Sequence, residues 1–214
     1  MAEATMSRLG LNVTGLAAIR SGRRVFEGLT FSLAAGEALV LTGPNGAGKS
    51  TLLRILAGFG EASAGKVAIE GGDTEKRRGE YCHYVAHADA LKTALTAREN
   101  LKFWADFYGS GDPFAALEAL GIEHLADIPS GLLSAGQKRR LGLARLMLSP
   151  RPVWLLDEPT VSLDAAAQNQ LAGLMAGHIA GGGILVAATH LPLGIKEARE
   201  LDLGPYKARS GTEI

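Results

Sequence analysis

The sequence of 214 residues contains a single cysteine, Cys82, so no disulfide can form within the chain. One unpaired cysteine suits a reducing compartment. No apolar run approaches the roughly 20 residues that a membrane-spanning helix needs. The N-terminus, with Glu3 and Arg8 and no apolar core segment, lacks the pattern of a signal peptide. These absences predict a soluble protein that a partner would have to hold at any membrane where it works.

Neither sign of charge is in excess. Lys and Arg number 22, Asp and Glu also number 22, and the formal net charge is zero. Binding to nucleic acid or to anionic lipid by electrostatics usually requires a basic patch or stripe. We therefore predict no nucleic-acid partner. The sequence also lacks internal repeats and low-complexity tails, and its length suits one α/β domain spanning residues 1–214.

The most informative stretch that is present is a glycine-rich loop between an apolar run at 38–42 and a run at 52–57 with apolar residues at helical spacing. This order matches the phosphate-binding P-loop, G-x-x-x-x-G-K-[ST]. Its glycines let several N–H groups face one anion, and the next helix directs its positive end there. We expect Lys49 to reach the β- and γ-phosphates and the Ser50 hydroxyl to bind Mg²⁺. The predicted nucleotide-binding residues are Gly43, Pro44, Asn45, Gly46, Ala47, Gly48, Lys49, Ser50 and Thr51.

An acidic pair ends the apolar strand predicted at 153–156. Asp157 and Glu158 should lie near the P-loop, because ligands of open α/β sheets bind at the carboxyl ends of strands. Adjacent residues at a strand end point to opposite sides. One carboxylate can therefore hold Mg²⁺ while the other faces the attacking water. We assign Asp157 to the metal and Glu158 to the general base.

A second candidate anion site lies at the start of a predicted helix. Ser134 is a natural N-cap, and the residues behind it have N–H groups that the helix itself cannot satisfy. A compact chain already has one phosphate site in its P-loop. A second, well removed from the first, makes sense if it serves the nucleotide of another subunit. The residues predicted to make this contact in trans are Ser134, Ala135, Gly136 and Gln137.

These motifs, in this order, resemble those of the ATP-binding-cassette (ABC) ATPases. Leu133 to Gln137 is similar to the signature motif, and Val161 to Asp164 is similar to the D-loop, of which Asp164 is the acidic residue. His190, after an apolar strand, matches the switch histidine and is expected to contact the γ-phosphate as a second catalytic residue. The resemblance covers nearly the whole chain. It implies a head-to-tail homodimer that binds two ATP molecules, each between one chain's P-loop and the other's signature.

Four positions depart from the family pattern. Ala135 replaces a glycine of the signature but keeps the backbone N–H. His87 stands where most family members have a glutamine that senses Mg²⁺; an imidazole can bind a metal or a metal-bound water, so it either takes over that role or the role is absent. Arg20 lies near the position of the aromatic residue that stacks on adenine, and a guanidinium can also stack on a base. Val161 stands at the start of the D-loop, where a serine is common in the family, so the contact that this serine makes is in doubt.

Three segments also resemble a subfamily, the CcmA-type ATPase subunits of bacterial cytochrome c biogenesis (haem exporter) complexes. They are the run from Leu133 to Arg140, the His87 region up to Leu101, and Ala188 to Gly194. This resemblance implies a peripheral protein on the cytoplasmic face of the bacterial inner membrane. Its partners would be an integral membrane subunit of CcmB type and further cytochrome c maturation proteins. ATP hydrolysis would drive release of the haem-loaded chaperone. The alternative is an ABC transporter with another cargo.

Two structural elements complete the predicted fold. Residues 9–36 alternate apolar and polar side chains between turns, which predicts two or three short strands forming an antiparallel β edge. Residues 92–148 have helical patterns separated by glycine and proline, which predicts a helical subdomain inserted into the α/β domain. Within it, Phe103, Trp104, Phe107 and Tyr108 form one helix face. That face either packs as subdomain core or receives a helix of the membrane subunit.

Two further groups invite functional interpretations that we consider secondary. Cys82, His83 and His87 could ligate haem iron, but no C-x-x-C-H motif is present and a buried cysteine in an apolar strand is ordinary. The basic run 138–140 is interpreted as a solvated helix face, with an added contribution to the phosphate field in trans as the alternative. The rival functions are a soluble translation or repair cassette and a nucleotide-gated scaffold without hydrolysis.

Overall fold

The computed structural model describes residues 9–207, which form two β-sheets and five α-helices within that range. The strands are β1 Gly10–Arg20, β2 Arg23–Ala34, β3 Ala38–Thr42, β4 Ala64–Glu70, β5 Cys82–Val85, β6 Val153–Asp157, β7 Ile184–Ala188 and β8 Arg199–Asp202. The helices are α1 Lys49–Leu56, α2 Ala97–Tyr108, α3 Pro113–Ala119, α4 Ala135–Ala144 and α5 Ala165–Ala180. The α/β class with an antiparallel β element is confirmed.

The antiparallel element is a sheet of its own, in the order β2-β1-β4. β1 and β2 form one long hairpin, with Gly10 opposite Ala34 and Arg20 opposite Arg23. The two or three short strands predicted at 9–36 are therefore two long strands. β-Bulges shift the register between Val13 and Ile19, and they break the apolar alternation that the sequence pattern relies on.

The second sheet is parallel and has the order β5-β6-β7-β3-β8. All residues of β6 and β7 are buried, as expected for parallel strands covered on both faces. The edge strand β8 was not predicted from the sequence. Its residues, Arg199–Asp202, are mostly charged and exposed, so they carry neither an apolar run nor an alternation that would indicate a strand.

Two hydrophobic cores lie on opposite faces of the parallel sheet. Val153 and Leu155 of β6 belong to the core shared with α1 and the antiparallel sheet. Trp154 and Leu156 belong to the core shared with α2 to α5. The strand thus alternates its side chains between the two layers. The helices and short 3-10 turns dominate residues 97–147, where Pro129 also forms an isolated β-bridge with Thr96. None of the helices in the described part of the chain is long and apolar enough to cross a bilayer.

The half-buried His178 makes the stability of this fold depend on pH. The ring of His178 on α5 stacks on Trp154 with centroids 4.0 Å apart and donates from Nε2 to the Ile184 carbonyl at 3.3 Å. Burial lowers the pKa of His178 to about 4 from 6.5. Because the folded-state pKa lies below that of the unfolded chain, this contribution to stability is complete above pH 6.5 and is lost as the pH falls towards 4.

We expect the free energy of unfolding to fall by about 2 kcal/mol between pH 7 and pH 5 from this histidine alone. His178→Phe keeps a ring on Trp154 and removes the titrating group, so its pH dependence should be weaker by that amount. Urea unfolding of both proteins across this range measures the difference. Parallel pH profiles would contradict the assignment.

Candidate nucleotide-binding site

Four neighbouring parallel strands end at the same edge of the sheet and carry most of the predicted site. β5 leads to His87, β6 ends at Asp157 and Glu158, β7 leads to His190, and β3 leads into the P-loop. Because the strands run in the same direction, their carboxyl ends meet. The structure therefore brings together residues that lie more than 140 positions apart in the sequence, as between Lys49 and His190, which are in contact.

The P-loop packs directly against the antiparallel sheet. Gly48 has a φ of 99°, and a Cβ there would lie 2.6 Å from Val25 Cγ1 and 2.9 Å from the Phe26 ring. Only glycine satisfies both the backbone conformation and the close approach. Gly48 is the N-cap of α1 and has no side chain to cap the helix. The first N–H groups of α1 are therefore available to an anion, as the sequence predicted.

Lys49 lies at the centre of a small polar cluster. Its Nζ donates to the Gly43 carbonyl at 2.7 Å and lies 3.3 Å from His190 Nε2. Because an ammonium group only donates, a hydrogen bond between the two groups requires the His190 tautomer that carries its proton on Nδ1. Nε2 is also 3.7 Å from Glu158 Oε1. The predicted switch histidine thus contacts both the predicted phosphate-binding lysine and the predicted base.

The proposed metal ligands fit Mg²⁺ by donor chemistry. Ser50 and Asp157 line the same cavity and present hydroxyl and carboxylate oxygens, which are the ligands that this cation prefers. Within residues 9–207 no group of three or more His, Cys, Asp or Glu side chains is arranged to hold a metal. A Mg²⁺ ion at Ser50 and Asp157 would take its remaining ligands from substrate phosphates and water. His87 is exposed and lines the cavity, and an imidazole can bind a metal-bound water.

A cavity of about 410 Å³ contains most of the predicted residues. Arg20 and Val25 close it on the side of the antiparallel sheet. Val25 was not predicted, since an apolar residue within a strand carries no sequence signal for ligand contact. Of the predicted P-loop residues, Gly43 and Pro44 do not line the cavity. The predicted residues that do are Arg20, Asn45, Gly46, Ala47, Gly48, Lys49, Ser50, Thr51, His87, Asp157, Glu158 and His190.

The signature residues lie outside this cavity. Ser134 caps α4 in a reciprocal pair with Gln137, whose N–H it accepts at 3.3 Å while Gln137 Oε1 accepts the Ser134 N–H at 2.8 Å. Ala135 is exposed, so its methyl group is accommodated. A Cβ at Gly136 would lie 2.6 Å from the Ser162 carbonyl oxygen. Ala135 and Gly136 therefore differ, because only position 136 requires a glycine to avoid the Ser162 carbonyl oxygen.

The D-loop residue Asp164 has a role within its own chain. Its Oδ1 accepts the N–H of Ala167 at 2.8 Å and caps α5. Ser162 just before it has a φ of 65°. The D-loop is therefore held between the signature helix, through the Gly136 contact, and the start of α5. Its predicted contact with a partner chain stays a prediction.

The ABC transporter family model matches residues 26–161, more than half of the chain. The chain belongs to the ABC transporter family. It therefore has the ATP-hydrolysing domain that its P-loop, acidic pair and signature predicted, and the resemblance stated from these motifs is confirmed.

Curated relatives of this ABC protein are similar over almost their whole length. The cytochrome c biogenesis ATP-binding export protein CcmA of Nitrobacter winogradskyi is 54% identical over 196 residues, covering 91% of this chain and 98% of that protein. CcmA of Rhodopseudomonas palustris is 51% identical over 197 residues, covering 91% and 98%. CcmA of Mesorhizobium japonicum is 54% identical over 188 residues, covering 86% and 93%.

Solved structures agree with the fold. The ATP-binding subunit of an ABC transporter superposes with a TM-score of 0.79 at 27% identity, covering 91% of this chain and 85% of that chain. A Pyrococcus furiosus protein assigned to the ABC transporters superposes with a TM-score of 0.80 at 23% identity, covering 93% and 100%. At this identity the second likeness shows the ABC ATPase fold.

The basic run of this ABC protein was predicted to be a solvated helix face, and for Arg139 that prediction is wrong. Arg139 is 3% exposed, and its guanidinium group binds backbone carbonyls at the end of β6. The residues that follow on the same helix face, Gly142 and Leu143, are small or apolar and buried. Their spacing of three and four from Arg139 is the sequence signal that would have indicated burial.

The aromatic face divides between the two predicted roles. Trp104 and Tyr108 pack against the helical core, where Arg145 lies over the Trp104 ring at 4.6 Å. Phe103 and Phe107 are 45% and 70% exposed. Half of the face is therefore core, and the exposed half remains available to a partner.

Cys82 and His83 are buried at the start of β5. The Cys82 thiol donates to the Leu56 carbonyl at 3.8 Å, and burial raises the thiol pKa to about 12. His83 Nε2 donates to the Ser149 carbonyl at 2.8 Å, and burial lowers its pKa to about 4. Both side chains have structural partners within the fold. His87 lies apart from them, in the cavity lining.

Proposed function

We propose that the chain is the ATP-hydrolysing subunit of a bacterial cytochrome c biogenesis exporter and acts as a head-to-tail homodimer on an integral membrane subunit of CcmB type. The observation that supports the chemistry is the contact of Lys49, Glu158 and His190 in one cavity with Ser50 and Asp157. Support for the biological role comes from CcmA relatives of more than 50% identity along nearly their full length.

Each residue of the cavity has a part in the proposed reaction. Lys49 and the P-loop N–H groups bind the phosphates. Ser50 and Asp157 would hold Mg²⁺, which would neutralise the charge that develops on the phosphate oxygens. Glu158 orients the attacking water and accepts its proton. His190, already positioned between Lys49 and Glu158, contacts the γ-phosphate. Arg20 covers the adenine side of the cavity. Phosphoryl transfer of this kind depends on positioning and electrostatics more than on covalent chemistry.

The dimer accounts for the position of the signature. The cavity that contains Lys49 has no residue from 134–137 in its lining. The N-terminus of α4 nonetheless presents an exposed Ser134 and Ala135 and the N–H groups of Ala135 and Gly136, which the Ser134–Gln137 capping pair leaves free. A nucleotide held by the P-loop of one chain and this helix of another would be gripped from both sides. ATP binding then closes the dimer, and hydrolysis releases it.

The membrane partner has a candidate surface on the helical region at 92–148, which we propose to be the inserted subdomain. Phe103 and Phe107 are exposed next to each other on α2, and an exposed apolar patch of this kind fits a helix of another protein. Through that partner the chain would lie peripherally on the cytoplasmic face of the inner membrane. Further cytochrome c maturation proteins would join the complex, and hydrolysis would drive release of the haem-loaded chaperone.

Two measurements test this function. We expect the purified chain to release phosphate from ATP in a Mg²⁺-dependent manner, because Mg²⁺ held by Ser50 and Asp157 would neutralise charge on the phosphates. We also expect a CcmB-type protein to co-purify from native membranes with the chain, and its yield to drop for Phe107→Ser. Glu118→Gln on α3 serves as the unaffected control. Absence of phosphate release would favour a nucleotide-gated scaffold. A different membrane partner would favour another cargo and leave the ATPase assignment intact.

A further inference from the structure

One buried arginine joins the three segments whose arrangement decides hydrolysis. Arg139 lies one turn into the signature helix α4, and its side chain is 4% exposed. It faces the turn that follows β6 and the segment that follows β5. These are the segments that carry Glu158 and His87. The sequence motifs did not indicate that Arg139 contacts the segments that carry Glu158 and His87.

The guanidinium group of Arg139 uses all five of its N–H donors. Nη2 donates to the carbonyls of Asp157 at 2.8 Å and Glu158 at 2.9 Å, and Nε donates to that of Pro159 at 3.2 Å. Nη1 donates to the Ala86 carbonyl at 2.9 Å and to Asp89 Oδ1 at 2.8 Å. Three successive carbonyl oxygens thus converge on one cation. Without it, they would be buried and would repel one another.

The turn that Arg139 holds is an unusual one. Glu158 has a φ of 47°, in the left-handed region that residues other than glycine seldom adopt. On the opposite side, the Glu158 N–H donates to the Ala188 carbonyl of β7 at 2.8 Å. The backbone of Glu158 is therefore clamped between β7 and Arg139. This conformation directs the carboxylate towards His190, 3.7 Å away, and surrounding contacts must maintain it.

We infer that Arg139 is a positioning residue, which sets the Glu158 turn and links it to the signature helix and to the segment that carries His87. This inference rests on the proposed function. Arg139 does not itself line the nucleotide cavity, so it acts on the cavity through the backbone of Asp157, Glu158 and Pro159. A lysine cannot replace it, since an ammonium group has three donors and lacks the planar fork that reaches five acceptors. Movement of α4 on dimer closure would be transmitted to Glu158 through this side chain.

The test compares kcat with the KM for ATP. For Arg139→Lys and Arg139→Met we expect kcat to fall about 10- to 100-fold, the range for a lost set of charge-assisted hydrogen bonds. The KM should change less than about threefold, because the P-loop is untouched. Arg151→Met is the matched control: Arg151 also donates to two backbone carbonyls, those of Gly79 and Cys82, but at the other end of β5. Its kcat should stay at the wild-type level.

A second comparison separates positioning from general destabilisation. If Arg139 acts through Glu158, adding Arg139→Met to Glu158→Gln should lower single-turnover hydrolysis by less than about threefold further. Asp89→Asn, which weakens the cluster at its 21% exposed end, should lower kcat in the same direction even if the Arg139 variants do not fold. A wild-type kcat in Arg139→Lys or Asp89→Asn would overturn the inference. So would a double variant in which Arg139→Met lowers single-turnover hydrolysis by the same factor with Glu158→Gln as without it. Retained turnover in Glu158→Gln alone would instead overturn the proposed function.

Discussion

Glu158→Gln is expected to stop ATP turnover while leaving ATP binding intact. The amide has the shape of the carboxylate but does not accept the proton of the attacking water. Loss of a general base costs on the order of 10²–10⁴ in rate. The side chain of Glu158 is 19% exposed and lies 3.7 Å from His190, so bulk water does not readily substitute for it. The P-loop, which binds the phosphates, is unchanged by the substitution.

The variant should also accumulate as an ATP-bound dimer, because the nucleotide that closes the dimer is no longer consumed. Phosphate release, binding of labelled ATP and size-exclusion chromatography with and without ATP measure the three properties. Glu118→Gln on α3, at an exposed residue outside the cavity lining, should behave like the wild type in all of them. A monomeric Glu158→Gln protein with wild-type turnover would contradict both the role of Glu158 and the assembly.

The sequence was sufficient to predict the site wherever a local pattern carries the chemistry. The glycine spacing identifies a P-loop, and this fixes the positions of Lys49 and Ser50. Asp157 and Glu158 are located because they follow an apolar strand. The parallel sheet then brings these ends together without further information, because β3, β6 and β7 are neighbours that run in the same direction. The cavity accordingly contains both pairs of residues.

What the sequence did not predict depends on tertiary contacts. Arg139 was assigned to solvent because basic runs usually are solvated, and only the fold reveals that carbonyls of Asp157, Glu158 and Pro159 converge on it. The edge strand β8 lacks an apolar pattern because one of its sides has no neighbour in the sheet. In both cases a partner distant in the sequence, the carbonyls after β6 for Arg139 and the strand β3 for β8, outweighs the local sequence preference.

Mixing two inactive variants should restore hydrolysis if each site is completed in trans. Lys49→Met removes the ammonium group that we propose binds phosphate. Charge-assisted bonds of this kind contribute about 1.5–3 kcal/mol each, or roughly 10- to 100-fold in affinity. Gly136→Ala places a methyl group 2.6 Å from the Ser162 carbonyl oxygen, and such overpacking costs about 1–3 kcal/mol. Each homodimer then has two defective sites, and each variant alone should be nearly inactive.

In a mixed dimer the two defects fall into the same site, and the other site keeps both an intact P-loop and an intact signature. Random pairing of equal amounts gives half mixed dimers, so about a quarter of the wild-type sites should work. Ala135→Gly, which removes a neighbouring exposed methyl group, should stay active and shows that the loss in Gly136→Ala comes from the contact with Ser162. No recovery on mixing, measured by phosphate release and by ATP retention in the Glu158→Gln background, would mean that the P-loop and the signature of one chain serve the same nucleotide. The position of Ser134 outside the cavity of its own chain argues for recovery.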